Sequence, residues 1–396
     1  MKRLIAGSAL AAAFLLTGSV QGADLDAFVS ASRGAYHVIN LPSLGGTSSA
    51  GSSINDRRWA AGISNLPGDH VQHAALWKNY SIIDLGTLGG PNSGVLWPVK
   101  NERGIISGIS QTAQPDPLGE RWSCSAFFPA ATGTGYQCLG FVWEDGVMRP
   151  LPTLGGTNGF ATGTNNKGQT VGWAENTVHD PTCVPPQVLQ FRAVVWGPKE
   201  RQIEELPPLT GDTVSAATAL NNRGQVVGIS GICDRAVGRF SAIHAVLWQD
   251  GQAIDLGSLG GVAWNTPMAI NERGAVVGFS NVSAAAGGGF AAHAFLWTGH
   301  DGIVDLGVLP GDSTSQALGI NARGEIVGTS CDAAFNCRAF LWRHGVMTDL
   351  NELIGPDYPD TLVTANDINE AGRITGQALQ QNGTFVGFVA RRQGSV

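Results

Sequence analysis

The chain has few charged residues, and its basic residues are not gathered in any one stretch. Charged residues make up 14% of the sequence, with 24 Lys and Arg against 31 Asp and Glu. A surface that follows a phosphate backbone needs clustered cations, so nucleic acid is not an expected partner. Long apolar runs are missing after the first residues, so no membrane span is expected in the remainder.

Catalytic signatures are missing as well. The sequence has no Gly-x-Ser-x-Gly, no His-Glu-x-x-His, no phosphate-binding glycine loop and no calcium-loop signature. The recurring signatures of WD and sialidase-like propeller repeats are also absent. The sequence therefore predicts no cofactor and no metal, and it does not by itself indicate an enzyme.

The N-terminus has the composition of a signal peptide. Lys2 and Arg3 precede an apolar segment, residues 4–16, and small residues follow up to Ala23. We therefore assign residues 1–23 to a signal peptide, 24–35 to a lead-in and 36–396 to one domain. The domain is expected to be exported to the periplasm or beyond and to be monomeric.

A repeat of about 50 residues fills that domain. Seven asparagines align in it, and in six copies a glycine follows three residues later, as in "INERGAVVGFS". Asn and Gly at these positions favour a type I turn with a left-handed exit. Copy one has Arg58 in place of the glycine, so its turn is expected to differ. The aligned asparagines are Asn55, Asn101, Asn165, Asn221, Asn271, Asn321 and Asn369.

Each copy contains four short strand patterns, the third of which ends in tryptophan in six copies. Four strands per repeat indicate a blade of a β-propeller. The domain opens with a lone fourth strand, "YHVINLPSLGG", and closes after a third strand, "TFVGFVA". We therefore predict an all-β, seven-bladed propeller of four-stranded antiparallel blades, in which the N-terminal strand completes the last blade and leaves no exposed edge.

The recurring sequence motifs "HAFLW", "DLGTLGG" and "IN..G.VVG.S" resemble the HAF repeat, a family described as an extracellular repeat of bacterial proteins. The resemblance covers nearly all of the predicted domain. It implies an exported repeat protein of undefined activity and brings no catalytic motif. Copy seven departs from the pattern, with Ala390 at the tryptophan position.

A cation four residues before the tryptophan recurs together with an acid in the fourth strand. This concurrence predicts a charge pair between strands of one blade, which is a structural role. A metal site is the alternative, but one ligand per blade would not converge on one centre. The five predicted pairs are His73 with Asp84, Arg192 with Glu205, His244 with Asp255, His293 with Asp305 and Arg338 with Asp349.

All six cysteines lie in the variable loops after the second strands, which a propeller places on one face. Their positions predict the disulfides Cys124–Cys138, Cys183–Cys233 and Cys331–Cys337. Zinc is the weaker alternative, because no pair has the short spacing that zinc sites favour.

Aromatic residues that break the repeat are candidate ligand contacts on this face. Trp97, Trp122 and Trp264 stand where other copies have small or aliphatic residues, or in an insertion. They would stack on a sugar, or else fill gaps under the long loops. Asp234 is a polar candidate beside them.

Further polar residues on these loops offer weak catalytic candidates. A polysaccharide lyase or hydrolase needs a proton acceptor, a proton donor and a cation, which His179, Asp180 and Arg235 would supply. Other polar candidates are Asp116, Glu120, Arg121 and Arg239.

The leading prediction is an exported propeller that binds an extracellular carbohydrate or protein partner on its disulfide-stapled loop face. A polysaccharide-active enzyme with a site on the same face is the alternative. A structural or adhesive surface protein is a third possibility.

Overall fold

The structure, a computed structural model, describes residues 34–79, 81–99, 101–120, 122–199, 202–235, 239–282 and 289–393. The predicted signal peptide and nearly all of the lead-in lie outside these residues. The described chain forms seven four-stranded antiparallel sheets. This confirms the predicted seven-bladed propeller.

Blades 1 to 6 follow one another along the chain, and each has its four strands in sequence order. Blade 1 comprises β2 (Ser49–Ile54), β3 (Trp59–Asn65), β4 (Gln72–Lys78) and β5 (Ser81–Asp84); blade 2 comprises β6 (Gly89–Gly94), β7 (Ile106–Pro115), β8 (Tyr136–Glu144) and β9 (Val147–Pro150); blade 3 comprises β10 (Gly159–Thr164), β11 (Thr170–His179), β12 (Leu189–Trp196) and β13 (Ile203–Leu206). Blade 4 comprises β14 (Val214–Leu220), β15 (Val226–Gly231), β16 (His244–Gln249) and β17 (Gln252–Asp255); blade 5 comprises β18 (Thr266–Ile270), β19 (Val276–Asn281), β20 (Ala292–Thr298) and β21 (Gly302–Gly307); blade 6 comprises β22 (Thr314–Ile320), β23 (Ile326–Cys331), β24 (Cys337–Arg343) and β25 (Val346–Asp349).

Blade 7 combines the two ends of the described chain. It contains β26 (Thr361–Ile368), β27 (Ile374–Leu379), β28 (Phe385–Arg392) and, as its outer strand, β1 (Tyr36–Asn40). β1 runs antiparallel to β28, with Tyr36 opposite Arg392. The Nε of Arg392 donates to the buried Tyr36 hydroxyl at 3.0 Å, and its guanidinium also pairs with Glu325 of blade 6. The N-terminal strand therefore completes the last blade, as predicted.

Three short helices accompany the strands in the described part of the chain: α1 (Trp122–Phe127) and two 3-10 helices, Phe240–Ala242 and Leu350–Leu353. Antiparallel blades place the connections after first and third strands on one face, which we call the turn face. Connections after second and fourth strands lie on the other, which we call the loop face. The turn face carries short connections except at residues 95–105, where β6 ends early and Pro98 cannot donate to a ladder.

The predicted turns after the first strands are present. The six glycines three residues after the asparagines have φ between 75° and 87°. Arg58 has φ of 67°, and its amide donates to the Asn55 carbonyl at 3.2 Å, as the glycine amides do in other copies. The expectation that this turn differs is therefore wrong. The turn geometry is set by the asparagine and by blade packing, so Arg58 accepts a left-handed conformation that costs a non-glycine residue about 1 kcal/mol.

The aligned asparagines form a closed ring of hydrogen bonds around the channel. Each side-chain Nδ2 donates to a backbone carbonyl of the next blade, and the Oδ1 caps the turn of its own blade, as Asn221 does for the amides of Arg223 and Gln225. The inter-blade bonds run from Asn55 to Asn101, Asn101 to Thr164, Asn165 to Asn221, Asn221 to Asn271, Asn271 to Asn321, Asn321 to Asn369 and Asn369 to Asn55. Buried amides and carbonyls are thereby satisfied between all seven blades.

The repeated tryptophans lie between adjacent blades. Trp77, Trp196 and Trp248 are buried, and their Nε1 atoms donate at 2.7–2.8 Å to the carbonyls of Pro42, Pro152 and Pro207 in the preceding connections. Each ring thus combines a large buried apolar area with a satisfied N–H group. Their role is structural.

Candidate functional site

All three predicted disulfides are present on the loop face. Cys124–Cys138 closes the long loop of blade 2, and Cys331–Cys337 closes the loop of blade 6. Cys183–Cys233 joins the loop of blade 3 to that of blade 4. All six cysteines are therefore oxidised, which leaves no thiolate for the zinc alternative.

Four of the five predicted charge pairs are present. The Nδ1 atoms of His73 and His293 lie 2.8 and 2.9 Å from carboxylate oxygens of Asp84 and Asp305. Arg338 lies 3.1 Å from Asp349, and Arg192 lies 3.7 Å from Glu205.

The fifth pair, His244 with Asp255, is wrong. His244 Nδ1 lies 2.9 Å from Asp212, in the connection that enters the same blade, while Asp255 accepts a bond from the Gly257 amide. Asp212 follows a glycine in the connection between blades, at a position where most copies have an uncharged residue. Its little-exposed carboxylate also accepts a bond from the Ser230 hydroxyl at 2.6 Å. The same substitution in blade 6 adds Asp312 to Arg338 at 2.9 Å.

Trp97 belongs to an aromatic cluster beneath the stapled loops. Its ring meets Phe127, Phe160 and Trp173 edge to face, with centroids 5.7, 5.4 and 6.2 Å away. These rings pack against the buried sulfurs of Cys124, Cys138 and Cys233. Trp97 therefore fills space under the loops, which makes it a weaker ligand candidate than Trp264.

Trp264 lies in a different setting, between the loops of blades 4 and 5. Its ring is half-buried and meets Phe290 edge to face at 5.4 Å, and Phe290 in turn meets Phe279 at 5.8 Å. The Arg239 guanidinium lies 5.1 Å from the Trp264 ring centroid. We call Trp264, Phe279 and Phe290 the aromatic platform.

The backbone at Trp264 is strained. Its φ is 58°, in the left-handed region that a bulky residue rarely adopts. The blade 4 loop holds it there, because the Trp264 amide donates to the Arg239 carbonyl at 3.2 Å and the Asn265 amide to the Ala242 carbonyl at 3.0 Å. Conformations of this kind cost about 1–3 kcal/mol and are concentrated at ligand sites.

The other two ligand candidates are less informative. Trp122 begins helix α1, and its side chain lies outside the described residues. The Asp234 carboxylate accepts a bond from the Phe240 amide at 3.0 Å, and its backbone pairs with residues 182–184 beside the Cys183–Cys233 disulfide. Asp234 therefore orders the loop that carries Arg239.

The three weak catalytic candidates differ in their exposure to solvent. His179 and Arg235 are exposed, whereas Asp180 is buried and accepts bonds from the amide and hydroxyl of Thr182 and from Gln190. Burial alone would raise the pKa of Asp180, but the hydrogen bonds outweigh it and lower the pKa. Asp180 is thus an ionised loop cap.

A buried pair of carboxyl groups, which the sequence did not indicate as a pair, lies beneath the same loops. Glu175 is 0% exposed at the end of the regular part of β11, and Glu120 is 4% exposed in the blade 2 loop. Burial, together with the charge of Glu120, raises the pKa of Glu175 to about 8. Burial also raises the pKa of Glu120.

One signal pointed to Glu175. The same position holds amides in blades 1, 2 and 5, namely Asn65, Gln111 and Asn281. The remaining blades have Gly231, Cys331 and Leu379 there, so blade 3 is the one copy with an acid at this position. Its partner Glu120 comes from an insertion that has no counterpart in other copies, so the repeat could not reveal the pairing.

Exposed apolar side chains are concentrated on the loop face. Eight of the thirteen large exposed apolar residues in the described chain lie there: Leu118, Tyr136, Val178, Val184, Val262, Val282, Phe335 and Phe385. Phe335 is 76% exposed at the tip of the loop closed by Cys331–Cys337, with φ of 62°. The other five lie on the outer strands of the blades.

The turn face has cavities of a different kind. A groove of about 760 Å³ between blades 2 and 3 is lined by Arg103, Arg149, Lys199 and Glu144, among others. Both arginines already pair with Glu144, at 3.6 and 3.5 Å. The channel mouth, a cavity of about 200 Å³, is lined by Asp56, Glu102, Glu272 and Glu370, whose carboxylates accept backbone amides of neighbouring blades.

No helix in the described ranges is long and apolar enough to cross a membrane. No group of three or more His, Cys, Asp or Glu side chains in those ranges is arranged to hold a metal ion.

Among solved structures, the chain is similar to an acylaminoacyl peptidase of Pyrococcus horikoshii, at 11% identity and a TM-score of 0.44 over 85% of this chain and 50% of that one. It is similar to TolB of Acinetobacter baumannii at 11% identity and 0.37, over 85% and 80% of the two chains. The Trypanosoma rangeli sialidase gives 10% identity and 0.38, over 90% and 55%. The chain thus spans about half the length of the peptidase.

No family model and no curated protein matches the chain, so membership of the HAF repeat family stays a prediction. The solved structures are too distant to bear on function. The assignment of the fold rests on the seven sheets themselves.

Proposed function

We propose that the protein binds carbohydrate on its loop face, at the aromatic platform of Trp264, Phe279 and Phe290. The observation that carries the proposal is the half-buried Trp264 ring, held beside Phe290 by a strained backbone. Large rings fixed in place bury contact area with little loss of side-chain entropy. A sugar ring offers an apolar face of matching size.

The rigidity of the surrounding loops supports this proposal. The disulfide Cys183–Cys233 joins the blade 3 loop to the blade 4 loop, and the blade 4 loop in turn bonds to Trp264 and Asn265. A preorganised surface binds its ligand with a smaller entropy cost. The three disulfides are compatible with an exported protein, and export by a signal peptide is part of the proposal.

The test is a glycan array probed with the purified chain, followed by titration of the best glycan. Trp264→Ala and Phe290→Ala should each weaken binding at least about tenfold, which corresponds to about 1.4 kcal/mol. Phe335→Ala removes another exposed ring from the same face and should leave the affinity unchanged. Equal affinities for Trp264→Ala and the parent chain would overturn the proposal.

A protein partner is the second candidate, and the exposed Phe335 favours it. Exposed rings held by rigid loops are typical of residues that dominate binding energy at protein interfaces. A photoreactive residue at position 335 should give a crosslinked adduct on intact producing cells, whereas one at position 147, on the outer strand β9, should not. Equal crosslinking at both positions would contradict this candidate.

The enzyme alternative now depends on His179 and Arg235, because Asp180 is an ionised loop cap. Under this alternative His179→Ala abolishes the release of unsaturated or reducing ends from the polysaccharide, while binding persists. Product release by the parent chain and not by His179→Ala would favour the enzyme over the binding protein.

A further inference from the structure

The carboxyl groups of Glu120 and Glu175 come from different blades and meet under the loop face. One oxygen of each is fixed by backbone amides. Glu120 Oε1 accepts from Val188 and Leu189 at 2.7 and 2.8 Å, and Glu175 Oε2 accepts from Asn158 and Thr157 at 2.7 and 3.2 Å. Their positions therefore do not depend on exposed, freely rotating side chains.

The remaining oxygens are poorly satisfied. Glu120 Oε2 has no donor among the described residues apart from the neighbouring Glu175 carboxyl, and Glu175 Oε1 accepts only from Gln187 Nε2, at 3.2 Å. Gln187 Oε1 also lacks a donor in the described chain. Glu120 and Gln187 are each only 4% exposed, so water outside the protein does not supply the missing bonds.

A neighbouring blade shows that the structural hydrogen bond made by the Glu175 position does not require a charged side chain. In blade 2, Gln111 Oε1 accepts the Asn92 amide at 3.0 Å, as Glu175 Oε2 accepts the Asn158 amide in blade 3. A neutral amide is sufficient for that bond. The presence of an acid at this position therefore requires another explanation, and ionising both buried carboxyl groups without a partner would cost several kcal/mol.

We propose that Glu120, Glu175 and Gln187 bind a divalent cation, with Glu120 Oε2, a Glu175 oxygen and Gln187 Oε1 as ligands. Carboxylate and carboxamide oxygens are the ligands that hard cations prefer. Two carboxylates balance the charge of one divalent ion. Ca²⁺ fits better than Mg²⁺, because Mg²⁺ dehydrates reluctantly and the surroundings of these oxygens are buried.

A shared proton is the competing explanation. It would satisfy Glu120 Oε2 but leave Gln187 Oε1 without a partner, whereas a cation satisfies both oxygens at once. Asp116 adds a third negative charge nearby, with its own oxygens engaged by the Leu118 amide and by Asn158. That charge attracts a cation and also favours a proton, so the unpartnered Gln187 Oε1 is the observation that separates the two explanations.

The ion would join the loops of two blades. Glu120 belongs to the blade 2 loop and Gln187 to the blade 3 loop, which Cys183–Cys233 ties to blade 4. The loops of blades 2, 3 and 4 would then form one continuous rigid rim. The ion site does not depend on the proposed carbohydrate site, which has no residue in common with it.

The test is Ca²⁺ binding to the protein after its metal has been removed with EDTA. Equilibrium dialysis with metal analysis measures the bound ion, and the midpoint of thermal unfolding measures its effect on stability. The parent chain should bind one ion per molecule and unfold at a higher temperature with Ca²⁺. Glu175→Gln, which matches the natural Gln111, should weaken binding at least about tenfold. Glu102→Gln, a carboxylate of the turn face, should bind like the parent.

Glu120→Gln, with circular dichroism to verify folding, provides a second variant if Glu175→Gln folds poorly. Failure of the parent chain to bind Ca²⁺ would overturn the proposal, as would unweakened binding by both folded variants. A higher thermal midpoint for Glu175→Gln than for the parent, without any Ca²⁺ response in the parent, would show that the pair holds a proton instead. Equal affinity for Mg²⁺ would overturn the assignment to Ca²⁺.

Discussion

Asn369 in blade 7 donates from its side-chain Nδ2 to the backbone carbonyl of Asn55 in blade 1, at 3.0 Å. This bond joins the last blade to the first and completes the ring of amides at the turn face. The Oδ1 of Asn369 also accepts a bond from the Arg373 amide at 2.8 Å, and this bond caps the turn of blade 7. A single side chain thus serves both a local turn and the closure of the propeller.

Asn369→Asp should therefore destabilise the protein. The carboxylate keeps an oxygen for the Arg373 amide but removes the donor to the buried Asn55 carbonyl, at a cost of about 1–3 kcal/mol in the free energy of unfolding. Urea denaturation measures the change. Asn382→Asp, in an exposed turn of the same blade, is the control and should change stability by less than about 0.5 kcal/mol. Equal losses for the two variants would contradict the role of the ring.

Asp212→Asn should destabilise the protein more than Asp255→Asn. The Asp212 side chain is only 9% exposed and bonds to His244 and Ser230, whereas the exposed Asp255 accepts the Gly257 amide. We expect a loss of about 1–3 kcal/mol for Asp212→Asn and at most about 0.5 kcal/mol for Asp255→Asn. Chemical denaturation at neutral pH compares them. A larger loss for Asp255→Asn would restore the pairing expected from the sequence.

The disulfide between blades should contribute more stability than the one in blade 6. Cys183 and Cys233 are 50 positions apart, and Cys331 and Cys337 are 6 apart. The loop-entropy model gives about 4 kcal/mol for the longer loop and about 2 kcal/mol for the shorter one. Double Cys→Ser variants of each pair, compared by thermal unfolding, should show this order. The reverse order would show that native contacts, and not loop closure, govern their effect.

Acid should weaken the contact between blades 6 and 7. Burial alone would raise the pKa of Glu325, but bonds from Asn321, Arg323 and Arg392 and the charge of Arg392 lower it to about 2 from an ordinary value of 4.5. A depressed carboxyl pKa stabilises the folded state above the unfolded value and loses that contribution as the pH falls from 4.5 towards 2. Thermal midpoints from pH 7 downwards should therefore fall more for the parent chain than for Glu325→Gln. Parallel curves would contradict the shift.

The repeat made the fold predictable from one sequence. Seven aligned asparagines and the complementary end strands predicted the number of blades and the blade that the N-terminal strand completes, and cysteines confined to loops of one face predicted the disulfide pairs. Features that depend on a single copy were not predictable. His244 pairs with Asp212 and not with Asp255, because one loop position of this copy holds an acid. Arg58 adopts a turn conformation that its residue type disfavours.

The candidate site was predictable only in part. Trp264 was recognisable as a residue that breaks the repeat, but the same argument also selected Trp97, which packs under the loops. Both rings are partly buried, and what separates them is the set of neighbouring rings and the path of neighbouring loops, neither of which is periodic. The pairing of Glu120 with Glu175 depends on how a unique insertion folds over the next blade, so no spacing within the sequence could indicate it.

The pairing of Tyr36 with Arg392 also sets the order in which the molecule can assemble. The two residues are 356 positions apart, whereas each of the first six blades is built from consecutive strands. Those six sheets can form as the chain is synthesised, but the seventh must wait for the final strand and then close a very long loop. Until that moment β28 has an unpaired side open to strands of other molecules, so the last step of folding is also the step most exposed to aggregation.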